Sequence, residues 1–144
     1  MEEDVRFMKA ALTEAQEAYR RDEVPIGAVV VHSGMIIGRG HNLTETLSDV
    51  TAHAEIQAIT AAEQTLGSKY LEGCTVYVTV EPCVMCAGAM YWAKIARLVY
   101  GAPDAKYGYT QVSPAALHPK TEVTSGILAT ECASLMKEFF KNKR

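Results

Sequence analysis

Two short segments of this 144-residue chain carry side chains that could bind a metal ion. Cys83 and Cys86 follow Pro82 at a spacing that places two side chains on nearly the same side of a helix. The amino end of a helix carries partial positive charge, which favours the thiolate form that binds zinc. The pair alone is equally typical of a thioredoxin-like redox site or of half a structural zinc site.

The other segment supplies a third ligand, His53, and a carboxylate, Glu55. Positions i and i+2 of a helix are about 200° apart, so both side chains can reach one metal only where the helix end faces it. Three protein ligands leave a fourth tetrahedral position to water, which is typical of catalytic zinc. Zinc lowers the pKa of such a water from about 16 towards 7, and a nearby carboxylate can accept its proton. The two segments together predict a catalytic zinc site.

The combined pattern, His-x-Glu followed by Pro-Cys-x-x-Cys, resembles that of the zinc-dependent nucleobase deaminases. The similarity covers nearly the whole chain, and it points to the bacterial tRNA adenosine deaminases of the cytidine and deoxycytidylate deaminase superfamily. The segments that carry it are Val24–Val29, Ala52–Ile56, Leu71–Glu72, Tyr77–Thr79, Glu81–Ala89, Val99–Ala102 with Asp104, and Gly126–Phe140.

This resemblance implies deamination of the wobble adenosine of a tRNA anticodon to inosine. It implies that Glu55 is the catalytic proton shuttle and that one zinc ion per subunit is bound by His53, Cys83 and Cys86. It also implies a homodimer with active sites close to the interface, and an anticodon stem-loop as the partner. The substrate-binding residues it implies are Asn42, which would bind the flipped base through its side-chain amide, Ala54, Pro82, Asp104 and Lys106.

The C-terminal segment ends an acidic chain with three cations after two aromatic residues. Aromatic rings can stack on bases, and Lys and Arg can contact phosphates. The alternative is that Phe139 is a core residue and that the cations stabilise a helix C-terminus. The candidate RNA contacts are Phe139, Phe140, Lys141, Lys143 and Arg144.

Three other functions fit parts of the same pattern. A free-base or nucleoside deaminase of the guanine or cytosine type would use the same zinc chemistry, and residues 90–93 resemble those enzymes. A nucleic-acid-binding module with structural zinc would need four protein ligands and would leave Glu55 unexplained. A redox protein using Cys83 and Cys86 would bind no zinc. The basic C-terminus and Lys106 favour an RNA substrate over a free base.

Periodicity indicates the elements that must position these residues. It predicts helices over 2–21, 53–65 and 82–93 and a last helix capped by Thr130. Strands are predicted over 28–31, 35–38, 75–80, 95–100 and 122–124. This order predicts a three-layer α/β/α, cytidine-deaminase-like fold, in which helices cover both faces of a mixed sheet of about five strands. We expect one domain over residues 1–144.

Composition excludes several classes of protein. Apolar residues make up 49% and charged residues 22% of the chain, close to the averages of soluble globular domains. The net charge of -3 excludes binding to nucleic acid by bulk positive charge, but it does not exclude a local basic patch. With no apolar run near 18 residues and no signal-peptide pattern, we expect no membrane association and a cytoplasmic location.

Overall fold

A computed structural model describes residues 2–143, and its centre is a five-stranded mixed sheet. The strand order is β2-β1-β3-β4-β5. β1 pairs antiparallel with β2 and β3, whereas β3, β4 and β5 run parallel to one another. The strands are β1 Gly27–His32, β2 Met35–His41, β3 Thr75–Val80, β4 Arg97–Ala102 and β5 Glu122–Ser125.

Helices cover both faces of the sheet, as the element order predicted. α2 and α3 pack on one face and α1 and α5 on the other. Within residues 2–143, no helix is long and apolar enough to cross a membrane. The helices are α1 Glu2–Arg20, α2 Ala54–Leu66, α3 Val84–Ala93, α4 Tyr109–Val112 and α5 Ala129–Lys141, with a 3-10 turn at Pro114–Ala116.

The central strands are buried on both faces, which explains their continuous apolar sequence. In β1, Ala28 and Val30 contact the core under α2 and α3, whereas Val29 and Val31 contact the core under α1 and α5. The same alternation continues in β3, where Val76 and Val78 face the first core and Tyr77 the second. The three-layer fold predicted from the sequence is therefore confirmed.

The second strand is longer than predicted, because it continues past residue 38 to His41. Glycine is depleted in strands, yet Gly38 and Gly40 are buried here directly beneath α2. A Cβ on Gly40 would lie 2.4 Å from the Ala54 carbonyl oxygen, and one on Gly38 would lie 2.4 Å from that of Ala58. These glycines let the helix approach the strand closely.

Several predicted boundaries shift by a few residues. Pro82 is not in the first turn of α3, because Cys83 is the N-cap and the helix begins at Val84. The last helix begins at Ala129 after Leu128, whose backbone is left-handed, so the prediction that Thr130 caps it is wrong. The fourth strand lies over 97–102 rather than 95–100. The third and fifth strands lie within one residue of the predicted ranges.

Candidate metal centre and active site

Two helix N-termini meet at the carboxyl end of β3. His53 is the N-cap of α2, and Cys83 is the N-cap of α3. β3 ends at Val80, so only two residues separate it from Cys83. Cys86 lies in the first turn of α3. This is the arrangement that His-x-Glu spacing requires, since a side chain at a helix end can face a metal that lies beyond the end.

The three predicted ligands lie together. The ligand atoms of His53, Cys83 and Cys86 are all within 4.8 Å of one another. The His53 Nδ1 atom is 3.6 Å from Cys83 Sγ and 3.5 Å from Cys86 Sγ. One imidazole nitrogen and two sulfurs suit tetrahedral zinc and leave one position for a non-protein ligand. The buried Cys74 precedes β3, at the end of that strand away from this group.

The electrostatics of the group favour a thiolate before any metal binds. The Cys86 thiol, together with His53, lowers the pKa of Cys83 to about 4. The contact with Cys83 and burial both raise the pKa of Cys86. The contact with Cys83 also raises the pKa of His53. A cation at this point would stabilise the second thiolate as well, so the donor set fits zinc.

Glu55 lies in the first turn of α2, buried beside these ligands. Burial raises the pKa of its carboxyl to about 7. A carboxyl with a pKa near neutrality can both accept and donate a proton during one reaction cycle. Glu55 therefore has the position and the acidity that a proton shuttle needs.

A cavity of about 380 Å³ opens beside the ligand group. Its size suits a nucleobase-sized ligand. Of the predicted substrate-binding residues, Asn42, Ala54 and Asp104 line the cavity together with His53, Glu55 and Cys83. Pro82 is buried outside the lining, and Lys106 is exposed beside Tyr107 on the surface.

Two loops form walls of the cavity, and sequence analysis did not single out the residues that hold them. Glu81 lines the cavity and accepts hydrogen bonds from the Asp104 amide and from the amide and hydroxyl of Thr110. Glu23 is fully buried and bonds to the loop after β2. An acidic residue between two predicted elements gives no periodic signal, so only the structure shows these two as buried.

The C-terminal helix meets the cavity through Met136. Phe139 is buried and packs on Tyr19 with ring centroids 5.8 Å apart. The predicted RNA contact at Phe139 is therefore corrected to a core position. Phe140 is half exposed, Lys141 is exposed, and Lys143 pairs with Asp22. The predicted contact at Arg144 lies outside the described residues.

Comparisons with known proteins agree with this geometry. The family described as "Cytidine and deoxycytidylate deaminase zinc-binding region" matches residues 1–102. A tRNA-specific adenosine deaminase of Agrobacterium fabrum is 47% identical over 149 aligned positions, covering 100% of this chain and 98% of that protein.

Solved structures give the same result. One from a study of A-to-I editing by tRNA:A34 deaminases has a TM-score of 0.84 at 47% identity and covers 90% of this chain and 98% of its own. A guanine deaminase from Nitrosomonas europaea has a TM-score of 0.83 at 26% identity, and the match covers 94% of this chain and 83% of that one. Both the histidine segment and the cysteine pair lie within the matched family region. This chain therefore belongs to the cytidine and deoxycytidylate deaminase family, in its branch of tRNA-specific adenosine deaminases.

Proposed function

We propose that this protein converts the wobble adenosine of a tRNA anticodon to inosine by hydrolytic deamination. The observation that carries the proposal is a buried carboxylate, Glu55, which lines one cavity together with His53 and Cys83 of the His-Cys-Cys group. The similarity to tRNA-specific adenosine deaminases along the whole chain supports RNA adenosine as the substrate. We extend the deaminase domain to the full range of residues 1–144.

We assign zinc, one ion per chain, to the ligands His53, Cys83 and Cys86. When bound, zinc lowers the pKa of a coordinated water towards 7 and supplies a nucleophile at neutral pH. The protein contributes two aligned helix ends, which hold the donor atoms within 4.8 Å of one another.

Glu55 moves the protons. It accepts one proton from the attacking water and delivers it to N1 of the adenine as the oxygen bonds to C6. It then transfers the second proton of that water to the leaving amino group. The bond between C6 and the amino nitrogen breaks, so one water is consumed, ammonia leaves, and inosine remains. Burial of Glu55 keeps its carboxyl close to the pKa that both transfers require.

The cavity walls hold the base. We assign Asn42 to a hydrogen bond with the flipped adenine, and Ala54 and Asp104 to the surrounding wall. Pro82 supports the cavity wall without lining it, and Lys106 contacts the RNA strand outside the cavity. The exposed side of α5 extends from Met136 to Phe140, one helical turn apart. We propose that Phe140, Lys141 and Lys143 contact the stem-loop along this path.

We propose further that the protein is a homodimer in the cytoplasm. Large apolar side chains are exposed on α3 and α4, where Trp92 is 75% exposed and Val112 58%. Residues of this kind are covered in subunit interfaces. The tRNA-specific relatives support a cytoplasmic location.

The second candidate is deamination of a free base of the guanine or cytosine type. The structural similarity to guanine deaminase favours it, since that enzyme shares the fold at a TM-score of 0.83. The zinc ligands and Glu55 would act in the same way, so only the substrate separates the two candidates.

The deciding experiment offers both substrate classes to the zinc-loaded protein. An anticodon stem-loop with a wobble adenosine is incubated in parallel with free adenine, guanine and cytosine, and inosine and ammonia are measured. We expect inosine at the wobble position, and a loss of about 100-fold or more in the Glu55→Ala variant, which should retain zinc. Ammonia from a free base with unchanged RNA would contradict the tRNA assignment, and full activity of Glu55→Ala would contradict the role of Glu55.

A further inference from the structure

Glu23 is a fully buried carboxylate outside the catalytic group. It lies between the end of α1 and the start of β1, and its relative exposure is 0%. A buried acidic side chain is costly unless hydrogen bonds satisfy it. What the carboxylate binds should therefore indicate its role.

Both oxygens of Glu23 bind the loop after β2. Oε1 accepts the Glu45 amide at 3.1 Å. Oε2 accepts the Thr46 amide and the Thr46 hydroxyl, each at 2.6 Å. Three donors from two consecutive residues converge on one carboxylate, so a single side chain holds residues 45 and 46 to the segment before β1.

That loop carries one wall of the cavity. Asn42 and Thr44 line the cavity, directly before the two anchored residues. The Thr44 amide donates to Asn42 Oδ1 at 3.4 Å, and the Asn42 amide donates to the Ile26 carbonyl at 3.2 Å. The anchor at residues 45 and 46 therefore restrains the turn that orients the Asn42 side chain.

The rest of the loop offers little packing to hold it. Residues 45–51 are exposed, including Leu47 at 52% and Val50 at 84%. Glu23 thus supplies strong, charge-assisted hydrogen bonds where buried apolar contacts are few. Glu23 does not line the cavity itself, so its effect on a bound base is indirect and passes through the loop or through the adjacent Val24, which does line it.

We infer that Glu23 is a positioning residue, which holds the 42–46 loop so that Asn42 keeps its place in the cavity wall. The inference rests on the proposed deamination and on the assignment of Asn42 to the base. It assigns Glu23 no contact with substrate and no proton transfer.

The test uses variants on both sides of the anchor. Glu23→Gln keeps the shape but places an NH2 group among three donors, and Thr46→Val removes one donor while Thr46→Ser keeps it. We expect kcat/KM on the stem-loop to fall about tenfold in Glu23→Gln, as for loss of a hydrogen bond to a charged group. In Thr46→Val, kcat/KM should fall by less than in Glu23→Gln, and in Thr46→Ser it should stay within about twofold of the wild-type value. All three should retain zinc.

A double-mutant cycle with Asn42→Ala separates positioning from general destabilisation. If Glu23 acts through Asn42, the effect of Glu23→Gln should shrink to about twofold or less in the Asn42→Ala background. Equal losses in both backgrounds would overturn the inference, and so would wild-type kcat/KM in Glu23→Gln. If Glu23→Gln does not fold, the Thr46→Val and Thr46→Ser pair is carried through the same cycle and decides the question.

Tyr77→Phe is the matched control for lost stability. It removes a buried hydrogen bond to Asp4 on the other face of the sheet. We expect this variant to unfold at a lower temperature with unchanged kcat/KM. If Tyr77→Phe is destabilised as much as Glu23→Gln and its kcat/KM falls by at least as much, the inference is overturned. A wild-type protein that forms no inosine would overturn the proposed function as well.

Discussion

Single residues in the site differ sharply in acidity although they are close neighbours. Cys83 has its pKa lowered to about 4 by the contact with Cys86 and by His53, whereas burial raises the pKa of Glu55 to about 7. Environments that separate the pKa values of neighbouring groups separate their chemical roles. At neutral pH the lowered pKa of Cys83 favours the thiolate that a metal ligand requires, while the carboxyl of Glu55 can still exchange a proton.

We expect Cys83→Ala to weaken zinc binding by more than about 100-fold, because it removes a thiolate ligand rather than an outer hydrogen bond. Treatment of the wild type with a strong chelator should abolish inosine formation, and added zinc should restore it. Metal analysis of purified protein and competition with a chromophoric chelator measure the change. Cys132→Ala is the control, because Cys132 is buried on the opposite face of the sheet. Equal zinc content in the two variants would contradict the ligand assignment.

At the scale of elements, the contact between β2 and α2 sets the position of the site. α2 begins at Ala54, directly after its N-cap His53, and its first turn carries Glu55. Gly40 lies under this first turn, and Gly38 lies under the next one. The absence of a side chain at Gly40 therefore determines how close the end of α2 that carries His53 and Glu55 comes to the sheet.

Gly40→Ala and Gly38→Ala should each lower the free energy of unfolding by about 1–3 kcal/mol, because the new methyl group overlaps the helix backbone. Gly40→Ala should also lower kcat/KM more than Gly38→Ala does, since it displaces the end of α2 that carries His53 and Glu55. Chemical denaturation and inosine formation by the two proteins give the comparison. Equal kcat/KM in both variants would show that the site tolerates this displacement.

The sequence predicted most elements and the His-Cys-Cys group that the structure brings together, and the misses have physical causes. Fixed spacing identified His53, Cys83 and Cys86, because a tetrahedral metal restricts both residue type and position. The second strand was predicted only over residues 35–38, where the apolar run ends, and only the close approach of α2 explains why the strand continues through Gly40. Glu23 could not be recognised as buried, because its hydrogen-bond donors belong to a loop that is distant in sequence.

At the scale of the whole molecule, one ionic network joins the outer helix layer to the sheet. Asp4, in the first turn of α1, accepts hydrogen bonds from Tyr77 in β3 and from both terminal nitrogens of Arg97 in β4. Arg97 also donates to the Thr124 hydroxyl in β5. The network thus connects α1 to three parallel strands on the face opposite the α2 and α3 layer.

Asp4 should make the stability of the protein depend on acid pH. Hydrogen bonds from Arg97 hold the pKa of Asp4 below its ordinary value of 3.8. Its contribution is therefore fully present above about pH 4 and is lost as the pH falls through the lowered pKa. At pH 7, Asp4→Asn should reduce the free energy of unfolding by about 2 kcal/mol, because it weakens hydrogen bonds to a charged partner.

The difference in unfolding free energy between wild type and Asp4→Asn should narrow as the pH falls below about 4, because protonated Asp4 also lacks its charge. Denaturant unfolding at a series of pH values measures this difference. Glu3→Gln is the control, because Glu3 is an exposed acid in the same helical turn and should contribute only about 0.5 kcal/mol through the helix dipole. A wild-type advantage that stays constant down to pH 2 would mean that packing rather than charge holds α1 to the sheet.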